Sequence, residues 1–140
     1  MITEDYVSFE TAKLLKEKGF DEATHWFYKT ITYLGTEANN VCIKSLNGIE
    51  DEPFNNSIFG FDLNGEDTGE YAMPTLQMAM KWLREVHTII IELHHQYRKE
   101  WYAIVSSENP LGIGVYTTST FNTYEEACEA AIKYCLEKLI

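Results

Sequence analysis

The chain has 140 residues, 45% of them hydrophobic, and its 22 acidic side chains against 11 Lys and Arg give a formal net charge of −11. This length predicts one domain, residues 1–140, that buries a hydrophobic core without disulfides or structural metals. The negative charge repels nucleic acid and anionic membranes, so we expect no direct binding to either, whereas a basic protein partner would be attracted. The chain begins without the basic and apolar segments of a signal peptide, and its longest aliphatic run, Ile89 to Ile91, is too short to cross a bilayer.

The three cysteines, Cys42, Cys128 and Cys135, are odd in number. Cys128 and Cys135 fall two turns apart on a predicted helix, about 10 Å at 1.5 Å per residue, which is beyond disulfide reach. We therefore expect buried, reduced thiols and a cytoplasmic location.

The negative charge is concentrated in the first half of the chain. Residues 1–70 hold fourteen acids and five Lys or Arg, a net charge of −9, whereas residues 71–140 hold eight acids and six Lys or Arg, a net charge of −2. The densest runs are Glu50-Asp51-Glu52 and Glu66-Asp67. Such loops either serve only to keep the protein soluble or form a surface for a basic partner.

The first predicted element is a helix that begins after Ser8 and ends near Gly19. Ser8 is a suitable N-cap, and Val7 and Ala12 have the spacing of a hydrophobic staple. Gly19 suits the left-handed position after the last turn, where Phe20 can fold back onto the helix.

Aromatic and β-branched residues predict strands in the next part of the chain. Thr24 to Leu34 is the clearest of them. Val41 to Leu46 is a shorter strand closed by the turn dipeptide Asn47-Gly48, and Ser57 to Leu63 is predicted as a third. Residues 35–72 give the weakest secondary-structure signals.

The stretch from Met73 to Val86 predicts a helix at the centre of the core. Thr75 can cap its start, and apolar side chains recur at helical spacing on one face. Met78 and Trp82 widen that face, so we expect the helix to be covered on more than one side.

The rest of the chain predicts a three-strand meander followed by a helix. The strands are Thr88 to His95, Trp101 to Ser106 and Ile113 to Phe121. Thr123 and Glu126 match the capping box of a last helix that runs to about Leu139. Its expected buried side chains are Tyr124, Ala127, Cys128, Ala131, Cys135 and Leu139.

These elements predict an α+β fold: a single domain with three helices packed on antiparallel β-sheet, whose C-terminal half is helix, three-strand meander, helix. Double-stranded-RNA-binding domains have the same order in that half. They need basic side chains at the start of the last helix, where this chain has Glu125, Glu126 and Glu129. Electrostatics therefore argues strongly against RNA binding by this surface.

No motif in the sequence predicts catalysis. The best metal candidate is Glu92 with His94 on one strand face, but zinc sites need three or four ligands, and His95 points to the other face while His87 lies one turn back. The acidic stretch that begins at Asp62 fails the calcium-loop pattern. We expect no catalytic residue, no cofactor and no metal.

Three segments, residues 8–20, 74–87 and 123–137, resemble those of a family of short uncharacterised proteins of gut Bacteroidales and their phages and mobile elements. The resemblance implies a cytoplasmic location and a phage or mobile-element origin. It implies no activity, cofactor or catalytic residue, and it does not extend to residues 35–72.

The sequence favours a small acidic non-enzymatic interaction protein, monomeric or weakly dimeric, that binds a protein partner. The expected contact residues are Glu50, Asp51, Glu52, Glu66 and Asp67. One alternative is an inhibitor that imitates nucleic acid and occupies the basic groove of a host defence protein. Another is a metal-binding protein or enzyme that uses the His94 region.

Overall fold

The computed structural model describes residues 2–33, 36–44, 53–109 and 112–140. Over these residues the fold is α+β, as predicted, with helices and antiparallel β-sheets. Within the span predicted as one domain, the chain forms two compact units. The N-terminal unit is Tyr6–Pro74, and the C-terminal unit combines Met1–Asp5 with Thr75–Ile140.

Each unit has its own helices and one three-stranded antiparallel sheet. The N-terminal unit contains α1 (Phe9–Glu17), β1 (Trp26–Tyr33), β2 (Thr36–Lys44), α2 (Asn56–Phe59) and β3 (Glu70–Ala72), with strand order β2-β1-β3. The C-terminal unit contains α3 (Leu76–His87), β4 (Ile89–Gln96), β5 (Glu100–Asn109), β6 (Gly112–Thr117) and α4 (Tyr124–Lys138), with strand order β4-β5-β6.

Both predicted ends of α1 are confirmed. The Ser8 hydroxyl accepts a hydrogen bond from the Thr11 amide at 3.2 Å and so begins the helix. Gly19 has a φ of +88°, and the Phe20 amide donates to the Leu15 carbonyl at 2.9 Å, which closes the last turn. Phe20 and Leu15 are buried, so this end of the helix is fixed by packing as well as by hydrogen bonds.

The sheet of the N-terminal unit is built on β1, which confirms the strand predicted over residues 24–34 from Trp26 to Tyr33. Tyr28 lies opposite Cys42 of β2 on one side and Tyr71 of β3 on the other. The second strand begins at Thr36, earlier than predicted, while the Asn47-Gly48 turn lies outside the described residues.

The strand predicted over Ser57–Leu63 is wrong, because residues 56–59 form the short helix α2. Two consecutive asparagines cause the difference. The Asn55 side chain caps the helix by accepting from the Ser57 amide at 2.8 Å. The buried Asn56 side chain donates to the Phe20 carbonyl at 2.9 Å and accepts from the Ala72 amide at 2.8 Å, so the strand beside β1 is β3 instead.

The predicted helix over Met73–Val86 is confirmed as α3, with Thr75 as the N-cap and Trp82 in the core at 4% exposure. It packs on β4 and α4 within its own unit, and the N-terminal unit has a separate core that includes Leu15 and Phe20. Two parts of its predicted apolar face are wrong, since Met78 and Val86 are exposed. The buried residues of the helix are Leu76, Ala79, Met80, Trp82 and Leu83.

The C-terminal order of helix, meander and helix is confirmed. The strand β6 ends at Thr117, before the predicted Phe121, although Phe121 still pairs with Trp101 in an isolated bridge. The Thr123 hydroxyl accepts from the Glu126 amide at 3.1 Å and caps α4. The buried face of α4 is Ala127, Cys128, Ala131, Ile132, Cys135 and Leu136. The expected burial of Leu139 is wrong, because this residue is the C-cap and is exposed, and Tyr124 is only half-buried.

Candidate functional site

The predicted contact residues Glu66 and Asp67 lie in a hydrogen-bonded loop between α2 and β3. The Asp62 carboxylate organises the turn by accepting from the amides of Asn64 at 2.8 Å and Glu66 at 2.9 Å. The Asp62 amide donates to the Glu66 carbonyl at 2.8 Å, and Phe61 pairs with Asp67 in a β-bridge. The loop therefore has a defined backbone rather than a loose acidic turn.

A buried lysine holds this loop against the rest of the N-terminal unit. The Lys16 side chain, 2% exposed, extends from α1. Its Nζ donates to the carbonyls of Gly60 at 2.5 Å and Glu70 at 3.0 Å and to Asp67 Oδ1 at 2.8 Å. The ammonium thus connects the start of the loop, its acidic end and the first residue of β3, so that one cation fixes the position of the whole segment.

The same ammonium lies between two aromatic rings. Its Nζ is 4.6 Å from the centroid of Phe61 and 4.7 Å from that of Tyr71. Both distances fall in the range of cation–π attraction. Gly60 leaves room for this arrangement, because an added Cβ would overlap the Asn56 carbonyl oxygen and lie 3.0 Å from Lys16 Cε. The loop is consequently preorganised by side chains that come from distant positions in the sequence.

The short helix α2 and the loop that follows it expose four large apolar side chains, which we call the loop surface: Ile58, Phe59, Phe61 and Leu63. Leu63 is fully exposed, and Ile58 is 65% exposed. Exposed apolar residues are ordinary when scattered singly, but a group of them on a short ordered segment is typical of protein-interaction sites. The carboxylates of Asp62 and Glu66 lie in the same loop and add negative charge to it.

The structure divides the five predicted contact residues into three groups. Glu66 is exposed in the loop and can meet a partner. Asp67 instead anchors the loop, since its carboxylate accepts from Lys16 Nζ and from the Gly69 amide at 2.6 Å. Residues 50–52, the remaining three, lie outside the described residues.

The sequence predicts neither the exposure of the four loop-surface residues nor the buried position of Lys16. The aromatic and β-branched content of Ser57 to Leu63 predicts a strand, whereas the structure has a short helix and a loop there. Lys16 follows Leu15 near the end of an amphipathic helix, where a lysine normally extends into water. The sequence signal that lies in this segment is the acidic pair Glu66-Asp67.

The histidine candidates do not assemble into a metal centre in the described residues. His94 Nε2 lies 3.2 Å from Glu92 Oε2, and the His94 ring stacks on Tyr102 at 5.2 Å. His95 instead contacts Trp101. Among residues 2–33, 36–44, 53–109 and 112–140, no three His, Cys, Asp or Glu side chains are placed to share a metal.

The two described thiols are buried and weakly acidic. Burial, with the nearby charges of Glu129 and Glu125, raises the pKa of Cys128 to about 12, and burial raises the pKa of Cys135 to about 12. Since the thiolate is the nucleophile, neither cysteine is suited to catalysis at neutral pH. The Cys128 thiol instead packs against Met80, with 3.4 Å between the sulfur atoms.

The start of α4 carries the acids that argue against RNA binding. Glu125 and Glu126 are exposed in its first turn, and Glu129 is half-exposed one turn later. Acidic side chains at a helix N-terminus interact favourably with the helix dipole and so stabilise α4. They repel phosphates at the place where a double-stranded-RNA-binding domain would need cations.

Comparison of the chain with models of protein families, with curated proteins and with solved structures gives no match. In the described part of the chain, no helix is both long enough and apolar enough to cross a bilayer.

Proposed function

We propose that this chain is a small non-enzymatic interaction protein that binds a partner protein through the loop surface. The observation that carries the proposal is the group of exposed apolar side chains on α2 and on the following loop, which the buried Lys16 ammonium holds in place. A preorganised loop loses little conformational entropy on binding, so apolar contacts made there convert efficiently into affinity.

The charge of the loop selects the chemistry of the partner. Glu66 is exposed beside the apolar side chains, and Asp62 contributes a second carboxylate. A partner with an apolar pocket bordered by Lys or Arg would complement both features. The proposal places this partner in the cytoplasm, which agrees with the two free, buried thiols of the described residues.

Capture from a lysate of the native host tests the proposal with a matched pair of variants. Ile58→Ser with Leu63→Ser removes two exposed apolar side chains from the loop surface. Val86→Ser with Tyr97→Ser removes two exposed apolar side chains from the C-terminal unit. We expect the first variant to lose the captured partner and the second to retain it. Equal capture by both variants would contradict the proposal.

The salt dependence of the same complex tests the charge argument. Glu66→Gln removes an exposed carboxylate without changing the size of the side chain, so we expect weaker binding at low salt and a smaller loss of affinity as salt rises. Competition by duplex DNA would show that the loop occupies a nucleic-acid groove, which is the inhibitor alternative. If Glu66→Gln binds with unchanged affinity and salt dependence, the claim that the partner presents Lys or Arg to this loop is wrong.

A further inference from the structure

The C-terminal unit contains a groove of about 500 Å³ between α3 and β4. Met80 of α3 and Ile91 and Leu93 of β4 supply its apolar lining, and Lys81 and Arg84 of α3 supply its charge. Both cations are exposed, and the Arg84 Nε has only a surface contact with Glu85 at 3.6 Å. The groove is therefore mostly polar and cationic with an apolar strip, although the chain as a whole is strongly acidic.

The strand β4 forms an edge of the sheet, since the order is β4-β5-β6 and no described strand pairs with its outer side. The hydrogen bonds that β5 makes on its other side show which way the amide and carbonyl groups of β4 point. Trp101 exchanges hydrogen bonds with Phe121, at 2.8 and 2.7 Å, and the Ala103 carbonyl accepts from the Thr118 amide at 2.9 Å. Trp101 and Ala103 thus direct their amide and carbonyl groups away from β4.

In an antiparallel sheet, successive residues of a strand direct their amide and carbonyl groups alternately to one side and to the other. This alternation shows which residues of β4 bond to β5. Tyr102 and Ile104 must direct their backbone groups toward β4, where they lie opposite His94 and Glu92. The intervening Ile91 and Leu93 consequently direct their amide and carbonyl groups to the open edge. These are the same two residues whose side chains line the groove.

One end of the groove is closed by a hydrogen bond between the two helices of the unit. Gln77 Nε2 of α3 donates to the hydroxyl of Tyr124 on α4 at 2.8 Å. The Tyr124 ring in turn packs edge-on against Trp101, with 5.4 Å between the ring centroids. A strand that bonded to the edge of β4 would lie beside α3, and alternate side chains would point into this bounded space.

From this geometry we infer that β4 accepts an extended acidic segment of a partner protein as an added strand. The backbone groups of Ile91 and Leu93 bond to the segment. On its groove side, one apolar side chain contacts Met80, Ile91 and Leu93, and a carboxylate two residues away meets Lys81 and Arg84. Recognition by strand addition combines main-chain hydrogen bonds for affinity with alternate side chains for specificity. Charge complementarity selects this occupant over a second copy of the chain, because pairing of two β4 edges would bring four cations into one interface.

The probe is a labelled eight-residue peptide of repeating Val-Val-Glu-Glu, which places valine and glutamate two residues apart on each face of a strand, titrated into the full chain and followed by amide NMR. We expect shifts at Lys81, Arg84, Ile91 and Leu93, with slower hydrogen exchange at the amides of Ile91 and Leu93. The matched peptides carry lysine in place of glutamate, or N-methyl groups on every amide, so that neither edge of the peptide can donate to β4. We expect both changes to abolish binding, because the first reverses the charge and the second blocks strand pairing.

Charge-reversal variants provide the second arm of the test. Lys81→Glu with Arg84→Glu should weaken binding by at least about tenfold, because attraction becomes repulsion at both positions. Lys99→Glu with Lys138→Glu changes the net charge equally and lies outside the groove lining, so we expect it to bind normally. Absence of binding at millimolar peptide, shifts confined to other residues, or undiminished binding of the N-methylated peptides would overturn the inference. So would a dimer in sedimentation that the peptide dissociates.

Discussion

Replacement of Lys16 by Met should destabilise the N-terminal unit far more than loss of an ordinary surface lysine. Methionine keeps the length and the apolar contacts of the side chain but has no ammonium. Three hydrogen bonds disappear, to the carbonyls of Gly60 and Glu70 and to the carboxylate of Asp67. Two of these partners are backbone carbonyls, so no second substitution can remove them.

The expected magnitude follows from these contacts. Hydrogen bonds that involve a charged group contribute about 1.5–3 kcal/mol each. The burial of the ammonium costs several kcal/mol, and this cost disappears in the variant. The Gly60 carbonyl also keeps the Thr68 amide as a donor at 3.0 Å. The lost hydrogen bonds destabilise the variant, and the relieved burial cost offsets part of that loss. We therefore expect Lys16→Met to lower the free energy of unfolding by about 3 kcal/mol, which is less than the sum of the three hydrogen bonds.

Asp67→Asn should cost much less, under about 1 kcal/mol, because the Asp67 side chain is 50% exposed and a solvent-screened ion pair contributes little. Asparagine also keeps an oxygen that can accept from the Gly69 amide. Lys13→Met is the matched control, since Lys13 is an exposed lysine on the same helix and only its cation–π contact with Phe9 is lost. That loss should also stay below about 1 kcal/mol.

Urea unfolding followed by far-UV circular dichroism measures all three variants under one set of conditions, with the midpoint and slope fitted separately. The reasoning is refuted if Lys16→Met costs no more than Lys13→Met. A second result would also contradict it. If Asp67→Asn costs as much as Lys16→Met, the ion pair and not the carbonyls holds the loop.

Three further predictions concern the C-terminal unit. Trp82→Ala should lower the free energy of unfolding by about 3–5 kcal/mol in urea, because it removes a large buried side chain. Burial lowers the pKa of His87 below its ordinary 6.5, so its contribution to stability should be complete above pH 6.5 and be lost as the pH falls toward the folded-state pKa. In a Cys42→Ser background, Cys128 and Cys135 should react with a thiol reagent only as fast as the protein opens, because burial raises both pKa values to about 12.

Each of these predictions has its own control and contrary result. Met78→Ala, at an exposed position of the same helix, should cost under about 1 kcal/mol, and a cost of Trp82→Ala in that range would place Trp82 at the surface. The free energy of unfolding of His87→Gln should fall less than that of wild type between pH 6.5 and pH 5. Equal falls in the two proteins would show that His87 does not contribute to the pH dependence. Fast labelling of the native thiols at pH 7 would contradict their burial.

The helices α1, α3 and α4 could be predicted because their signals are local. Ser8, Thr75 and Thr123 each accept a hydrogen bond from an amide three residues on, so the cap and its helix are adjacent in the sequence. The meander was predictable for a similar reason, since alternation and turn residues lie next to one another along the chain. Periodicity does not specify which residues at the edge of an apolar helix face are covered by other elements. The exposure of Met78 could therefore not be predicted.

The segment from α2 to β3 could not be predicted because long-range contacts determine it. Asn56 joins residues 36 positions back and 16 positions ahead, and Lys16 reaches partners 44 to 54 positions away. Tertiary hydrogen bonds of this kind override the strand propensity of Ile58, Phe59 and Phe61. The loop surface follows from these contacts, which is why composition indicated its charge but not its apolar side chains.

Site-specific photo-crosslinking tests the central claim most directly. A benzophenone amino acid is placed at Leu63 of the loop surface or, as the control, at Glu137, an exposed position on α4. The two proteins are irradiated in a lysate of the native host, with and without excess unlabelled wild-type protein. We expect one crosslinked partner from position 63, suppressed by the competitor and absent from position 137. The same product from both positions, or none from position 63 while capture of the partner persists, would contradict binding through the loop surface.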